Sequence, residues 1–354
     1  MIRLQRSLIE GLKTPTPQTV ADALQRAIEL EHATIPVYLY GLYSLDPVRN
    51  KAVADIVQSV VLEEMLHMTL AANVMNAIGG NPSIDGPDFI PSYPGPLPGG
   101  VEDGLTVHLA PFSSDQLLTY LQIEQPQNVI DIPILNPLLG PIGQPDGDDG
   151  ITIGAFYAAI LAALAQLPAS AFQNPARNQV GPDLMPEAVV VIDLATAQQA
   201  LNTIIEQGEG NSTSPLEVVG DGYAHYYRFL QVFAGATLLP AAGQTPPWAF
   251  GAPPVLLDVE GVHPLPTDPK AAHYPAGSAQ AFANDTFNYT YTGLLKSLHA
   301  LFNGANTTDQ MNVAIGLMMS LKGQARAMMA GIPDPSGPYT GPSFEYQPTN
   351  PAAA

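Results

Sequence analysis

Over two long stretches, apolar residues recur at alternating steps of three and four. In the first, Val20, Leu24, Ala27, Glu31, Ile35, Tyr38 and Leu42 fall on one helical face. In the second, Val57, Val60, Glu64, His67, Ala71, Val74 and Ile78 do the same. Each stripe is interrupted where an aliphatic residue belongs, by Glu31 in one and by Glu64 and His67 in the other. A carboxylate on a face that a helix buries is costly unless another group compensates its charge.

The same pattern sets out the remaining elements. Thr16-Pro17 predicts a capped helix start, and the first helix runs to about residue 43. Pro36 lies inside it and predicts a kink one turn past Glu31. A second helix spans about 48–78 and stops at Gly79-Gly80-Asn81-Pro82. A loop at 83–104 leads to an alternating run at 105–112 that predicts a short strand, and Ser113 or Ser114 caps a helix through Glu124. After a second loop, 126–150, helices are predicted at 151–167, 195–210, 222–236, 279–303 and 308–331. Residues 188–194 read as a short strand or as a buried lead-in to the helix that follows. Residues 237–275 read as a long Pro-rich connection, and the C-terminal tail as extended chain. The expected fold is mainly α, one domain over 1–354: a helical bundle at about 17–236 with a C-terminal helical extension at about 279–331 packed on it, long Pro/Gly-rich loops and at most short strands.

Composition narrows the chemistry. The chain has 354 residues, 46% hydrophobic and 12% charged, enough apolar material for a large core. Its net charge of -20 repels phosphate, so no nucleic acid and no anionic membrane is expected as a partner. No apolar run approaches a membrane span, and "MIRLQRSLIEGLKTPTP" has no long apolar core of a signal peptide, so the expected location is cytoplasmic. There is no cysteine, which excludes disulfides, zinc fingers, thiolate catalysis and iron–sulfur ligation. Any bound metal therefore has nitrogen and oxygen donors.

Glu64-x-x-His67 sets a carboxylate and an imidazole on one helical face, where both reach one ion. Glu31 offers a third donor from the first helix. Carboxylate and imidazole without sulfur suit iron, with manganese an alternative, and a shared cation explains polar groups in two apolar stripes. Other features have plainer readings. Glu29-x-x-His32 has the same spacing, but Glu29 falls on the Asp22/Arg26 side and is expected in solvent; His32 borders the apolar face, where it could support a ligand. Tyr38, Tyr226 and Tyr227 are expected to pack, as are Met65, Met68 and Met75. The loop acids Asp146, Asp148 and Asp149 are expected to be solvated.

The segments "LEHATIPVYLYGLYSL", "VVLEEMLHMTLAANVMNAIGGNP", "TIGAFYAAI", "IIEQGEG", "HYYRF" and "GPSFEY" occur in this order between about residues 18 and 347. In them the chain resembles the ferritin-like proteins related to VioB, the iminophenyl-pyruvate dimer synthase family. The resemblance implies a ferritin-like four-helix bundle and oxidative coupling of aromatic imino-acid molecules. By position it implies metal ligation by Glu31, Glu64 and His67, with Glu206 and His225 in the second half of the site and Glu209 a lesser contributor. The chain departs from the family where the third helix often reads "IGEFY", since position 155 is alanine, and where Glu206-x-x-Glu209 replaces Glu-x-x-His. One metal ion, or two with His225 in the second site, are both open at this stage. The expected function is a non-haem iron oxidase or oxygenase with a small-molecule substrate, an aromatic imino- or amino-acid-derived metabolite. The alternatives are a non-catalytic metal-binding or storage protein and a degenerate structural module. A homo-oligomer is compatible with each.

Overall fold

The computed structural model describes residues 3–100, 104–134, 150–210, 214–217, 222–333 and 339–351. α1 (Pro17–Ser44) begins where expected. The Thr16 side chain accepts from Thr19 N while the Thr19 hydroxyl accepts from Thr16 N, and Pro17 follows at the first position. A reciprocal cap of this kind stabilises a helix by about 1 kcal/mol. The helix continues through Pro36 to Ser44. α2 (Lys51–Ala77) carries the second stripe. α3 (Ser114–Ile123), α4 (Ile153–Leu164) and α5 (Leu194–Glu209) are capped by Ser113, Thr152 and Asp193. α6 (His225–Ala234) has no side-chain cap, and α7 (Ala279–Phe302) and α8 (Thr308–Gly331) start at Ser278 and Thr307.

The bundle closes in a ring: α1 packs on α2, α2 on α5, α5 on α4, and α4 on α1. α3 and α6 pack on each other, and α6 also meets α2 and α5 while α3 meets α1. α7 and α8 pair and cover the other side, α8 against α1 and α7 against α2. That cover explains why α1 is buried almost all round from Ala27 to Ser44. A helix apolar on one stripe has one partner; a helix apolar all round is enclosed.

Strand is scarce. β1 (Gly95–Pro96) pairs antiparallel with β2 (Thr106–Val107), so the strand expected at 105–112 shrinks to two residues. The expected Pro-rich connection at 237–275 contains a hairpin, β3 (Ala236–Pro240) on β4 (Trp248–Pro254), with Leu238 opposite Phe250. Proline hid it, because a run rich in proline reads as loop unless the strand lies at an edge. Residues 188–193 form no strand; they are an irregular lead-in to α5 that buries Ala188 and Val191, with Val191 N bonded to Gln179 Oε1. Residues Arg6–Lys13 form a 3₁₀ helix that the sequence pattern did not disclose.

Buried asparagines hold the irregular segments against the helices. Asn73 on α2 donates to Val180 O and Val189 O and accepts from Val180 N. Asn76 donates to Asn178 O and Phe302 O. On α7, Asn284 and Asn288 accept from Ser343 N and Glu345 N and fasten the extended tail. Loop carbonyls and amides inside a protein need such partners, and asparagine supplies both kinds.

Candidate metal centre

Both stripes face the bundle interior as their pattern predicts. Glu31, Glu64 and His67 are buried, and one donor atom from each lies within 4.8 Å of the other two. A second group, Glu64, Glu124 and His225, meets the same limit. Glu64 belongs to both, so the two groups form one continuous cluster with Glu64 at its middle. The His67 and His225 rings lie 5.3 Å apart, centroid to centroid.

The donors come from different elements. α1 supplies Glu31, and α2 supplies Glu64 and His67 one turn apart. Glu124 caps the C-terminus of α3, and His225 is the first residue of α6. A carboxylate at a helix C-terminus meets the negative end of the helix dipole, a position that favours a cation nearby. Among the described residues, the two remaining ring helices contribute hydrogen-bonding supports. On α4, Tyr157 donates to Glu31 Oε1. On α5, Gln207 Oε1 lies 3.0 Å from His67 Nε2, and Gln207 Nε2 donates to Glu187 Oε2. Tyr38 of α1 donates to Glu124 Oε1.

These supports set the tautomers. An amide oxygen only accepts, so His67 donates to Gln207 through Nε2–H and turns Nδ1 toward Glu31 Oε2, 3.5 Å away. His225 Nε2 donates to Glu63 Oε2 at 3.0 Å. Its Nδ1 sits 3.0 Å from Glu64 Oε1 and 3.4 Å from Glu124 Oε2, but neither contact has a hydrogen bond's alignment, and that buried nitrogen has no partner among the described residues. Arg228 holds Glu63 through Nη1 at 2.7 Å and is itself tied to Glu217. Each imidazole is thus anchored on one nitrogen and turns the other toward the carboxylates, the arrangement that orients metal-ligating histidines.

The electrostatics of the metal-free cluster agree. Burial pushes the Glu64 pKa well above the usual carboxylate value, and the charges of Glu124 and Glu31 push it further. For Glu31, burial acts upward, but His67 and Tyr157 outweigh it and the net shift is down. Burial would lower the His225 pKa; the surrounding Glu124, Glu63 and Glu64 raise it well above 6.5. A proton held among three carboxylates sits where a cation's charge would fall. The orphaned His225 nitrogen, the two oriented imidazoles and the repulsion around Glu64 fit a divalent metal with mixed carboxylate and imidazole ligands.

A cavity of about 40 Å³ lies among the donors, walled by Leu30, Ile123, Ile153 and Ile204. It admits ions, water or a diatomic gas in an apolar surround.

Of the residues expected from sequence, Glu31, Glu64, His67 and His225 come together. Glu206 is half-buried and joins neither group; on α5 it is Gln207, one position on, that turns inward. The Glu209 side chain and Asp146, Asp148 and Asp149 lie outside the described residues. His32 does not support the cluster: it faces α7, bonded to Tyr291. Ala155 packs on the core, and Tyr157 reaches Glu31 from the same helix. Sequence reasoning missed Glu124, although its signal matched that of Glu31: Leu117, Tyr120, Leu121 and Glu124 form one buried face of α3. Glu63, Tyr157, Gln207 and Arg228 carried no comparable signal.

A family model described as Ferritin-like matches residues 24–234. A solved structure of a ferritin-like protein from Caulobacter vibrioides superposes with a TM-score of 0.60 at 22% identity, covering 92% of this chain and 97% of that one. A search of curated proteins finds no match. The chain belongs to the ferritin-like family.

Proposed function

We propose that this ferritin-like chain is a non-haem iron oxidase or oxygenase acting on a small aromatic metabolite derived from an amino or imino acid. The carrying observation is the His225 Nδ1 atom, buried without a hydrogen-bond partner beside Glu64 and Glu124, in a cluster completed by Glu31 and His67. Glu31, Glu64, His67, Glu124 and His225 would hold iron, in one or two ions; manganese satisfies the same donors. Bound iron would supply the redox chemistry toward O2 that no side chain of this protein can provide. Gln207 and Glu63 hold the two rings through Nε2 and aim both Nδ1 atoms at the carboxylates. Tyr157 and Tyr38 each place a hydroxyl proton on a ligand carboxylate, where it stabilises the charged form. Leu30, Ile123, Ile153 and Ile204 exclude bulk water. The aromatic substrate class and oxidative coupling rest on the motif resemblance to the VioB-related family. Glu206, assigned by that resemblance, belongs in this reading beside the cluster and not in it.

One observation favours a second reading. The cavity of about 40 Å³ has no room for an aromatic ring beside metal ions, which suits metal binding without an organic substrate. One experiment separates the two. Protein loaded anaerobically with Fe(II) is exposed to O2 with and without the imino acid of an aromatic amino acid. Repeated, substrate-dependent O2 uptake supports the oxidase. A single uptake in proportion to iron, indifferent to the organic compound, supports metal binding alone.

A further inference from the structure

Between α1, α2, α7 and α8 lies a second cavity, of about 270 Å³. It shares no lining residue with the metal cluster, yet it uses the neighbours of the ligands on the same two helices: His32 follows Glu31, Met65 follows Glu64, and Met68 follows His67. Consecutive helical residues point about 100° apart, so each helix presents one face to the cluster and another to this cavity. The wall is mostly aliphatic and methionine-rich. Leu62 and Met319, both in the lining, remain 55% and 65% exposed. An apolar cavity of about 150 Å³ is enough for benzene, so this one takes a body larger than a single ring.

Its polar groups are few and placed at two levels. Inside, His32 is 2% exposed; its Nε2 is 2.7 Å from the Tyr291 hydroxyl, and its Nδ1 has no partner among the described residues. At the edge, Lys322 reaches from α8 to Gln58 of α2 at 3.2 Å and has no carboxylate partner among the described residues. Arg326, one turn further along α8, is exposed and equally without an ion pair there. In a chain with a net charge of -20, an apolar hollow with the uncompensated Lys322 in its wall and Arg326 one turn beyond on the same helix selects an anion with an apolar body.

We propose that this cavity binds one small amphipathic monocarboxylate, its apolar body between α1, α2, α7 and α8 and its carboxylate at Lys322 and Arg326. The site is separate from the metal cluster and stands or falls independently of the iron reading.

Calorimetric titration of the full chain with decanoate tests it, with decylamine as the charge-reversed control. Decanoate binds at one molecule per chain and decylamine does not. Lys322→Glu weakens decanoate binding by at least about fivefold, and Lys322→Glu with Arg326→Glu weakens it further, while metal content is unchanged. Met318→Trp, on the cavity wall, removes binding. Because Lys322 lies at the surface, its variant remains decisive even where Met318→Trp fails to fold. Absence of saturable decanoate binding, equal binding of decylamine, or indifference to Lys322→Glu overturns the proposal. So does a homodimer that dissociates on Met319→Glu and binds no decanoate, because a second copy then covers this face.

Discussion

His67 gives its Nε2 proton to the side-chain oxygen of Gln207, 3.0 Å away, and this bond decides which nitrogen faces Glu31. Gln207 is held in turn by Glu187, which fixes the orientation of its amide. The bundle thus positions a candidate ligand on α2 from α5, through an amide side chain.

Gln207→Leu should therefore weaken metal binding by about 10–100-fold while leaving the fold intact. Competition against a chelator of known affinity measures this. Unchanged affinity would show that the hydrogen bond is incidental to ligation.

Ligand substitutions should change metal content unequally. Glu64 belongs to both groups, so Glu64→Ala should abolish bound iron. Glu124→Ala should leave one ion of a pair, since Glu31, Glu64 and His67 remain. Glu206→Ala should leave metal content as in the wild type. Elemental analysis of metal per chain reads all three, and loss of metal in Glu206→Ala would return that residue to the ligand set.

Metal-free and loaded protein should respond oppositely to Glu64→Gln. The Glu64 pKa is raised on folding, so without metal its contribution is fully present below pH 4.5 and is lost as pH rises toward the folded value. Glutamine imitates the protonated acid and removes that loss, so the metal-free variant should melt at or above the wild-type Tm near neutral pH. Iron or manganese should raise the wild-type Tm, by about 2.7 kcal/mol of stability at a hundred times Kd, and should not raise that of the variant. Thermal melts with metal and with chelator supply the comparison; a metal-free variant well below the wild type would contradict the repulsion inferred around Glu64.

Acid should destabilise the protein partly through Glu63. Burial acts to raise its pKa, but His225 and Arg228 bring it down to about 2. A depressed carboxylate contributes stability that is present above its unfolded value of 4.5 and is lost as pH falls through about 2. Glu63→Gln should cost about 2–3 kcal/mol at neutral pH and flatten the dependence across that interval. Urea unfolding of metal-free protein at a series of pH values tests the slope; parallel slopes for the two proteins would assign the acid sensitivity elsewhere.

Much of the fold was legible because its determinants are local. The stripes of α1 and α2, the Thr16 cap, and the glycines after Ile78 act within one or two turns, and each gave its element to within a few residues. Three members of the cluster were legible for the same reason: a carboxylate or imidazole in an apolar stripe signals compensation even when the compensating group is unseen. The β3–β4 hairpin was not legible, since proline masks the alternation of an edge strand.

The sequence alone determined that Glu31, Glu64 and His67 face inward, because helical periodicity decides which side of its own helix a residue occupies. Only the tertiary structure decided who meets them. Whether α5 turns Gln207 or Glu206 toward His67 depends on a rotation of about 100° about the helix axis, and that rotation is set by packing against α2 and α4. Glu124 and His225 arrive from the ends of α3 and α6, about a hundred residues apart in the chain, and no local rule relates them. Their meeting is a property of how helices close around a shared interior, where separately tolerable charges become one cluster.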